Sequence, residues 1–176
     1  ALAKWASKQN FLWDIKFIHS YHDHPAYLKA ICESIQEHWQ ANGQKHLLFT
    51  YHGLPKAMLL AGDPYYCYCV KTTRLVAEIL GLKDTDYTMS FQSRFGAQEW
   101  LKPYTDDLIP ELATKHPELD VICPGFAVDC LETIEEVNMG YKEQFMKHGG
   151  KAFHMISCLN DQERHAKALI DVISSV

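Results

Sequence analysis

Residues 121–137 read VICPGFAVDCLETIEEV and combine the pattern of a buried strand with the start of a helix. Its first residues are apolar, as in a strand that is buried on both faces of a parallel sheet. Pro124 and Gly125 end the strand, since neither suits an interior position of a ladder, and a helix is predicted to begin near Asp129 and Cys130. The stretch therefore places the carboxyl end of a strand beside the start of a helix, where open α/β sheets bind their ligands.

Three carboxylates follow in this helix, at Glu132, Glu135 and Glu136. Residues three and four apart lie on one helical face, so we expect these side chains to share a face. A solvated acidic first turn, favoured by the helix dipole, is the simpler interpretation. Spacing alone favours that interpretation, because most carboxylates lie on protein surfaces.

The composition is that of one globular domain. The chain has 176 residues, of which 47% are hydrophobic and 22% charged, and this suits a single core. The net charge of -5 leaves no basic excess to neutralise phosphate, so we expect no nucleic-acid partner. The apolar runs are too short to span a bilayer. The chain begins at Ala1 without an initiator Met or a signal peptide, and we therefore expect a cytoplasmic protein whose sequence starts upstream.

The six cysteines are expected to be reduced thiols. Most of them lie in predicted helices and strands, and no secretory context accompanies them. Cys67 and Cys69 form a C-x-C pattern, not the C-x-x-C of zinc sites or thioredoxin-like centres. A zinc or iron–sulfur centre at this pair is the weaker alternative, since cysteine is among the most often buried residue types.

Strands and helices are predicted to alternate about five times. An Ala-rich helical segment is predicted at 1–10. The predicted strands are 13–21, 46–51, 87–92, 119–123 and 151–156. The longer predicted helices are 25–41, 64–80, 105–115 and 129–147, followed by a last helix capped by Asn160 or Asp161. Such alternation is typical of an α/β, doubly wound, mainly parallel sheet of four to five strands with helices on both faces, a Rossmann-type three-layer fold. No G-x-G-x-x-G or P-loop pattern indicates a nucleotide site.

The loops after three of these strands are expected to open on one edge of the sheet. They contain His52, then Ser93 with Trp100, and then Phe126 leading to Glu132. Imidazole and carboxylate together suit a borderline divalent metal such as ferrous iron, and the same pair can move protons near neutral pH. A histidine at a strand end is more often structural, so the residues alone leave a structural and a functional interpretation open.

Several blocks of sequence resemble the ferrochelatases, enzymes that insert ferrous iron into a porphyrin to complete haem. The blocks are YHGLP at 51–55, GDPY at 62–65, FQSRFG at 91–96, WLKPYT at 100–105, PGF at 124–126 and DCLET at 129–133. Each block is modest alone, but the ordered set covers nearly the whole chain and is most similar to the proteobacterial branch. The resemblance implies a chelatase-like fold in which residues 1–176 are the C-terminal one of two similar α/β halves, with the N-terminal half absent.

The resemblance also implies roles for particular residues. His52 matches the family's histidine, a metal ligand and proton acceptor at the porphyrin centre, and Glu132 matches the carboxylate across the ring. These two are the predicted catalytic residues, and with Glu136 they are the predicted metal ligands. The residues that the resemblance places at the porphyrin cleft are Tyr65, Ser93, Trp100 and Phe126.

The helix after Glu132 departs in part from the family pattern. In relatives it often contains a π-type stretch whose acids lead inward from solvent, and Glu136 fits this trail, with Glu135 as a neighbour. Gly140 stands where some relatives carry another acid, so the path of the metal beyond Glu136 is not defined. Cys130 stands where some relatives have histidine, and a packed thiol is favoured there over a soft metal ligand.

The leading prediction is therefore a ferrochelatase, with protoporphyrin and ferrous iron as its substrates. A chelatase of the same fold that uses cobalt or another tetrapyrrole, such as coproporphyrin, is the close alternative, and a non-enzymatic haem- or metal-binding module is the distant one. No further cofactor and no iron–sulfur cluster are expected, since cluster-containing relatives place their cysteines in a C-terminal extension and this sequence ends at Val176. Peripheral membrane association of the full-length enzyme is left open.

The missing half leads to an expectation about residues 1–176 by themselves. They should fold, because they can build a core of their own, but they should lack the second wall of the porphyrin cleft. We therefore expect weak porphyrin binding, negligible activity, and an exposed apolar patch around Trp100 and Phe126 that promotes self-association.

Overall fold

Four parallel strands form one sheet in the computed structural model, which describes residues 2–11 and 14–176. The strands are β1 (His46–His52), β2 (Tyr87–Gln92), β3 (Glu118–Ile122) and β4 (Ala152–Met155), in the order β2-β1-β3-β4. The helices are α1 (Leu2–Ala6), α2 (Pro25–Asn42), α3 (Lys56–Leu60), α4 (Tyr65–Leu80), α5 (Thr105–Lys115), a π-helix (Glu132–Tyr141) that continues into α6 (Lys142–Lys147), and α7 (Glu163–Ser174). The predicted doubly wound α/β class is confirmed.

Helices cover both faces of the sheet. Successive side chains of a strand point to opposite sides, so β1 contributes side chains to a core on each face. Leu47 and Phe49 of β1 belong to a core shared with α2 and α4, whereas Leu48 belongs to a core shared with α5 and the π-helix. We call these the α2 face and the π-helix face. By the same alternation His52 lies on the π-helix face.

The predicted strand at 13–21 is wrong. Residues 14–21 have irregular structure, and Trp13 lies outside the described residues. Phe17 and Ile18 are exposed, so the apolar side chains that suggested a strand do not enter either core. The segment pairs with none of the four strands, and without a ladder an apolar run does not become a strand.

The ends of two helices depend on individual side chains. Asp63 accepts a hydrogen bond from the backbone N–H of Tyr65 at 2.9 Å and so starts α4 as predicted. The last helix begins later than predicted, at Glu163. Asn160 does not cap it, because its side chain bonds the backbone and the carboxylate of Asp129 instead.

Among the described residues, no helix has the length and the apolar character that crossing a membrane requires.

Candidate active site

His52 and Glu132 both lie at the carboxyl edge of the sheet. His52 ends β1 and lies opposite Gln92 of β2 in the ladder, while Glu132 begins the π-helix. The buried side chain of Gln92 accepts a hydrogen bond from Thr50 at 3.1 Å and donates one to the backbone carbonyl of Glu132 at 3.3 Å. One glutamine therefore fixes the start of the π-helix against the ends of β1 and β2.

The two ring nitrogens of His52 have different environments, and only one of them is engaged by the backbone. Its Nδ1 lies 2.6 Å from the backbone carbonyl oxygen of Gly53. Because a carbonyl only accepts, Nδ1 carries a proton in this contact, and in the neutral ring the free lone pair is therefore on Nε2. The ring is half-buried, and its centroid lies 6.4 Å from that of Phe126. Nε2 is thus the atom that can bind a metal or accept a proton.

Glu132 is held in its ionised form. A hydrogen bond from Cys130 lowers the pKa of the Glu132 carboxyl, and the nearby His52 lowers it further. The two predicted catalytic side chains are therefore close enough to interact electrostatically. Cys130 is only partly buried, and it acts here as a donor to Glu132.

The carboxylate of Glu136 accepts three hydrogen bonds from Ser93 and Tyr141. Its Oε1 accepts from the backbone N–H of Ser93 and from the hydroxyl of Tyr141, each at 2.7 Å, and its Oε2 accepts from the Ser93 hydroxyl at 2.5 Å. Ser93 has φ 64°, a left-handed conformation that these two bonds help to hold. Glu136 therefore joins the loop after β2 to the π-helix, and its role as a metal ligand stays a prediction.

The π-helix presents its acids along one open groove. Leu131, Glu132, Glu135 and Glu136 line this groove together, as their spacing predicted. Tyr141 lies five residues after Glu136, the separation that hydrogen bonding in a π-helix brings together. Burial and the bond to Glu136 raise the pKa of the Tyr141 hydroxyl far above its usual range, so this hydroxyl stays a donor.

Trp100 does not form part of an exposed patch, contrary to the prediction. It is 4% exposed, and its Nε1 donates to the backbone carbonyl of Phe95 at 2.9 Å. Its ring packs on Gly53, where an added Cβ would lie 2.8 Å from the Gln92 carbonyl and 3.2 Å from the indole. The indole points into the protein because its N–H bonds the Phe95 carbonyl and its ring packs against Gly53 there. Trp100 therefore supports the loop after His52, and any contact with a porphyrin stays a prediction.

The loop with Pro124, Gly125 and Phe126 lies near both His52 and Tyr65. Phe126, half-buried, lies beside His52, whereas Gly125 lies beside Tyr65 and helps to line a cavity of about 240 Å³. The loop is held from α2 by the Tyr27 hydroxyl, which donates to the Pro124 carbonyl at 2.8 Å. Gly125 and Phe126 therefore bring this loop close to both Tyr65 and His52.

Cys67 and Cys69 have different environments. Cys67 is exposed and Cys69 is buried. Burial raises the pKa of the Cys69 thiol to about 12, which disfavours the thiolate that metal binding needs.

Sequence reasoning missed Gln92 and Tyr141 as parts of the site. A polar side chain at the end of a buried strand was an available signal for Gln92. Tyr141 gave no such signal, because α-helical spacing does not bring it onto the face of Glu136.

The fold is that of an α/β protein with a parallel sheet, and a carboxylate and an imidazole lie at the carboxyl edge where such sheets bind ligands. Both types of side chain can bind a borderline metal. The sequence model of the ferrochelatase family matches residues 1–176, and the chain belongs to this family. It is 47% identical to the ferrochelatases of Marinobacter nauticus and Nitrosococcus oceani, and 48% identical to that of Pseudoalteromonas atlantica, each over 98% of this chain. The matches cover 47%, 48% and 49% of those relatives, so the chain spans about half their length. The resemblance inferred from the sequence blocks is confirmed.

Proposed function

We propose that this chain is the catalytic C-terminal half of a cytoplasmic ferrochelatase, which inserts ferrous iron into protoporphyrin IX to form protohaem. The observation that carries the proposal is that His52 and Glu132 lie at the same carboxyl edge of the sheet, near enough for His52 to lower the pKa of the Glu132 carboxyl. Membership of the ferrochelatase family supports it.

The reaction requires a base and a compensating negative charge. Two pyrrole nitrogens must lose their protons, and the ring must deform so that the nitrogen lone pairs face the entering ion. His52 suits the role of proton acceptor, since its Nδ1–H is engaged by the carbonyl of Gly53 and Nε2 is the basic nitrogen of the neutral ring. Glu132 offsets the charge of the metal or passes protons outward along the acidic groove.

The residues that we propose to contact the porphyrin lie near the same carboxyl edge of the sheet. Tyr65, which lies beside Gly125, and Phe126, which lies beside His52, offer aromatic rings to a flat π-system. Ser93 is held beside the groove by Glu136, and Trp100 supports the loop from behind. Ferrous iron approaches past Glu135 and Glu136, and no iron–sulfur cluster or other cofactor takes part.

The test is metal insertion by the full-length protein, in which this chain is joined to the additional half that its relatives contain. We expect ferrous iron to enter protoporphyrin IX at a higher kcat/KM than it enters coproporphyrin, and at a higher kcat/KM than cobalt. A preference for coproporphyrin or cobalt would identify the related chelatase instead. Stable capture of haem with no insertion of any metal would refute an enzyme and identify a binding module.

A further inference from the structure

A second cluster of potential metal ligands lies away from His52, at His38, Asp120 and His154. The Nε2 of His38 is 3.0 Å from Oδ1 of Asp120, and the Nδ1 of His154 is 3.4 Å from the same oxygen. The three ligand atoms all lie within 4.8 Å of one another. Asp120 is completely buried, so one carboxylate oxygen faces two imidazoles in the protein interior.

The cluster is built on rigid elements. Asp120 and His154 are direct neighbours in the β3–β4 ladder, and His38 reaches them from α2. The Nε1 of Trp39 donates to Oδ2 of Asp120 at 2.8 Å, which orients the carboxylate and leaves Oδ1 to the imidazoles. The side-chain amide nitrogen of Asn42 lies 3.3 Å from Nδ1 of His38 and donates to the His38 backbone carbonyl at 3.0 Å, so Asn42 packs against the ring nitrogen that points away from Asp120.

One ligand atom of the cluster makes no hydrogen bond. The Nδ1 of His154 is buried and lies 3.4 Å from Oδ1 of Asp120, but it has no hydrogen-bond partner within residues 2–11 and 14–176. Most buried polar atoms in proteins do have a hydrogen bond. A cation placed between the three side chains would contact this nitrogen, Nε2 of His38 and Oδ1 of Asp120 at the same time.

We propose that His38, Asp120 and His154 bind a divalent transition-metal ion of the Zn²⁺ or Co²⁺ type. Bonds of about 2.0–2.2 Å to a tetrahedral ion place neighbouring ligand atoms about 3.4 Å apart, and the distance from Oδ1 of Asp120 to Nδ1 of His154 is 3.4 Å. Two imidazoles and one carboxylate suit a borderline metal. The side chain of His154 is 36% exposed, which leaves room for water at a fourth position.

The neighbouring charges do not add a ligand. Glu118 lies two residues before Asp120 on the same side of β3, but its carboxylate is paired with Lys45 at 2.7 Å. The site therefore combines one carboxylate with two imidazoles. It connects α2 to β3 and β4, and a metal bound only by the folded chain would stabilise the fold.

This site is separate from the candidate active site. Asp120 pairs with Leu47 in the ladder, five residues before His52, which at about 3.3 Å per residue corresponds to roughly 16 Å along the strand. Asp120 is on the α2 face, whereas His52 is on the π-helix face. The inference therefore does not depend on the proposed function.

The test uses the metal-stripped 176-residue chain carrying His52→Ala and Glu132→Gln, which removes the candidate active-site ligands, with the wild-type chain titrated alongside. Co²⁺ binding is followed by visible absorption, and Zn²⁺ binding by the thermal unfolding temperature. We expect one equivalent of Co²⁺ to bind in the doubly substituted chain, and Zn²⁺ to raise its Tm.

Two further variants locate the ion. Addition of His154→Ala, or of His38→Gln from the other element, should weaken Co²⁺ binding at least tenfold and remove the Zn²⁺-dependent rise in Tm. His148→Ala, at an exposed histidine of the same chain, should change neither measurement, and circular dichroism checks that each variant is folded. Equal Co²⁺ affinity in the His154→Ala and His148→Ala proteins would overturn the proposal, as would the absence of binding in the doubly substituted and wild-type chains.

Discussion

Gln92 donates a hydrogen bond from its side chain to the backbone carbonyl of Glu132 over 3.3 Å. The bond crosses from the end of β2 to the first residue of the π-helix, and Gln92 is also the ladder neighbour of His52. The relative position of the two predicted catalytic residues therefore depends on a buried side chain that carries no charge.

Replacing Gln92 should disturb the position of Glu132 more than the binding of substrate. We expect Gln92→Met in the full-length protein to lower kcat for iron insertion about 10- to 100-fold, because small displacements of reacting groups have effects of this size. The KM for the porphyrin should change little. Gln98→Met, at an exposed glutamine of the following loop, is the matched control. A kcat equal to that of the control would show that the bond does not position Glu132.

The removal of His52 should abolish most of the insertion activity. Positioned bases contribute about 10²- to 10⁴-fold to rates, so His52→Ala in the full-length protein should lower kcat/KM at least 100-fold. The side chain is only half-buried at a strand end, so the fold should persist by circular dichroism. His148→Ala serves as the control, and near-normal turnover of His52→Ala would refute the assignment.

Glu136 and Glu135 are adjacent acids that should respond differently to substitution. Glu136→Gln disrupts contacts with the Ser93 N–H, the Ser93 hydroxyl and the Tyr141 hydroxyl, and we expect it to lower the free energy of unfolding by about 1–3 kcal/mol. Glu135→Gln, at an exposed position, should change it by less than about 0.5 kcal/mol. Urea unfolding of both variants makes the comparison.

The same pair of variants separates a structural from a metal-handling role. If Glu136 also guides iron, the KM for ferrous iron in the full-length protein should rise in Glu136→Gln beyond any change in Glu135→Gln. Equal stabilities of the two variants would contradict the anchoring role that the hydrogen bonds indicate.

Asp129 should make stability depend on pH in acid. Partial burial acts to raise the pKa of this carboxyl, but hydrogen bonds from Asn160 and from the backbone N–H of Cys158 outweigh it and hold the pKa below 3.8. Because the folded state favours the ionised form, its contribution to stability is present above pH 3.8 and is lost as the pH falls through the folded pKa.

The comparison of wild type with Asp129→Asn isolates this contribution. We expect the difference in their free energies of unfolding to be constant near neutral pH and to shrink below pH 3.8, because the other acids titrate in both proteins. Urea unfolding at several pH values measures it. A difference that does not change with pH would show that ionisation of Asp129 does not stabilise the fold.

Most of the sheet could be predicted because its strands are apolar runs that end in turn residues. The predicted strands at 46–51, 87–92 and 119–123 agree with β1, β2 and β3 to within one residue at each end. The failed prediction at 13–21 had apolar residues, but residues 14–21 have no partner in the sheet, and pairing depends on distant parts of the chain. Local pattern therefore predicts where a strand is favoured, and the tertiary structure decides whether it forms.

The candidate site was predictable in its location more than in its contacts. Parallel topology alone brought the loops with His52 and Glu132 to one edge. The inward turn of Trp100 and the bonds of Glu136 to Ser93 and Tyr141 depend on packing that no short-range pattern contains. The acids of the π-helix share a groove as their spacing suggested, but the contact of Glu136 with Tyr141 belongs to π-helical geometry.

Residues 1–176 by themselves should fold but should not insert iron. The two cores on either side of the sheet are complete enough to bury β1 and β3, whereas the proposed porphyrin cleft needs a second wall to deform the ring and to exclude water. Phe95 and Leu131, which are close in sequence to predicted site residues, are about 70% exposed, whereas Trp100 is buried, so any self-association of this chain should weaken in Leu131→Lys. Ferrous insertion by residues 1–176, measured beside the full-length protein, should be at least 100-fold slower, as expected when the groups that position a substrate are missing. Insertion within a few-fold of the full-length rate would instead mean that His52, Glu132 and the groove of the π-helix form a complete catalytic site without another half.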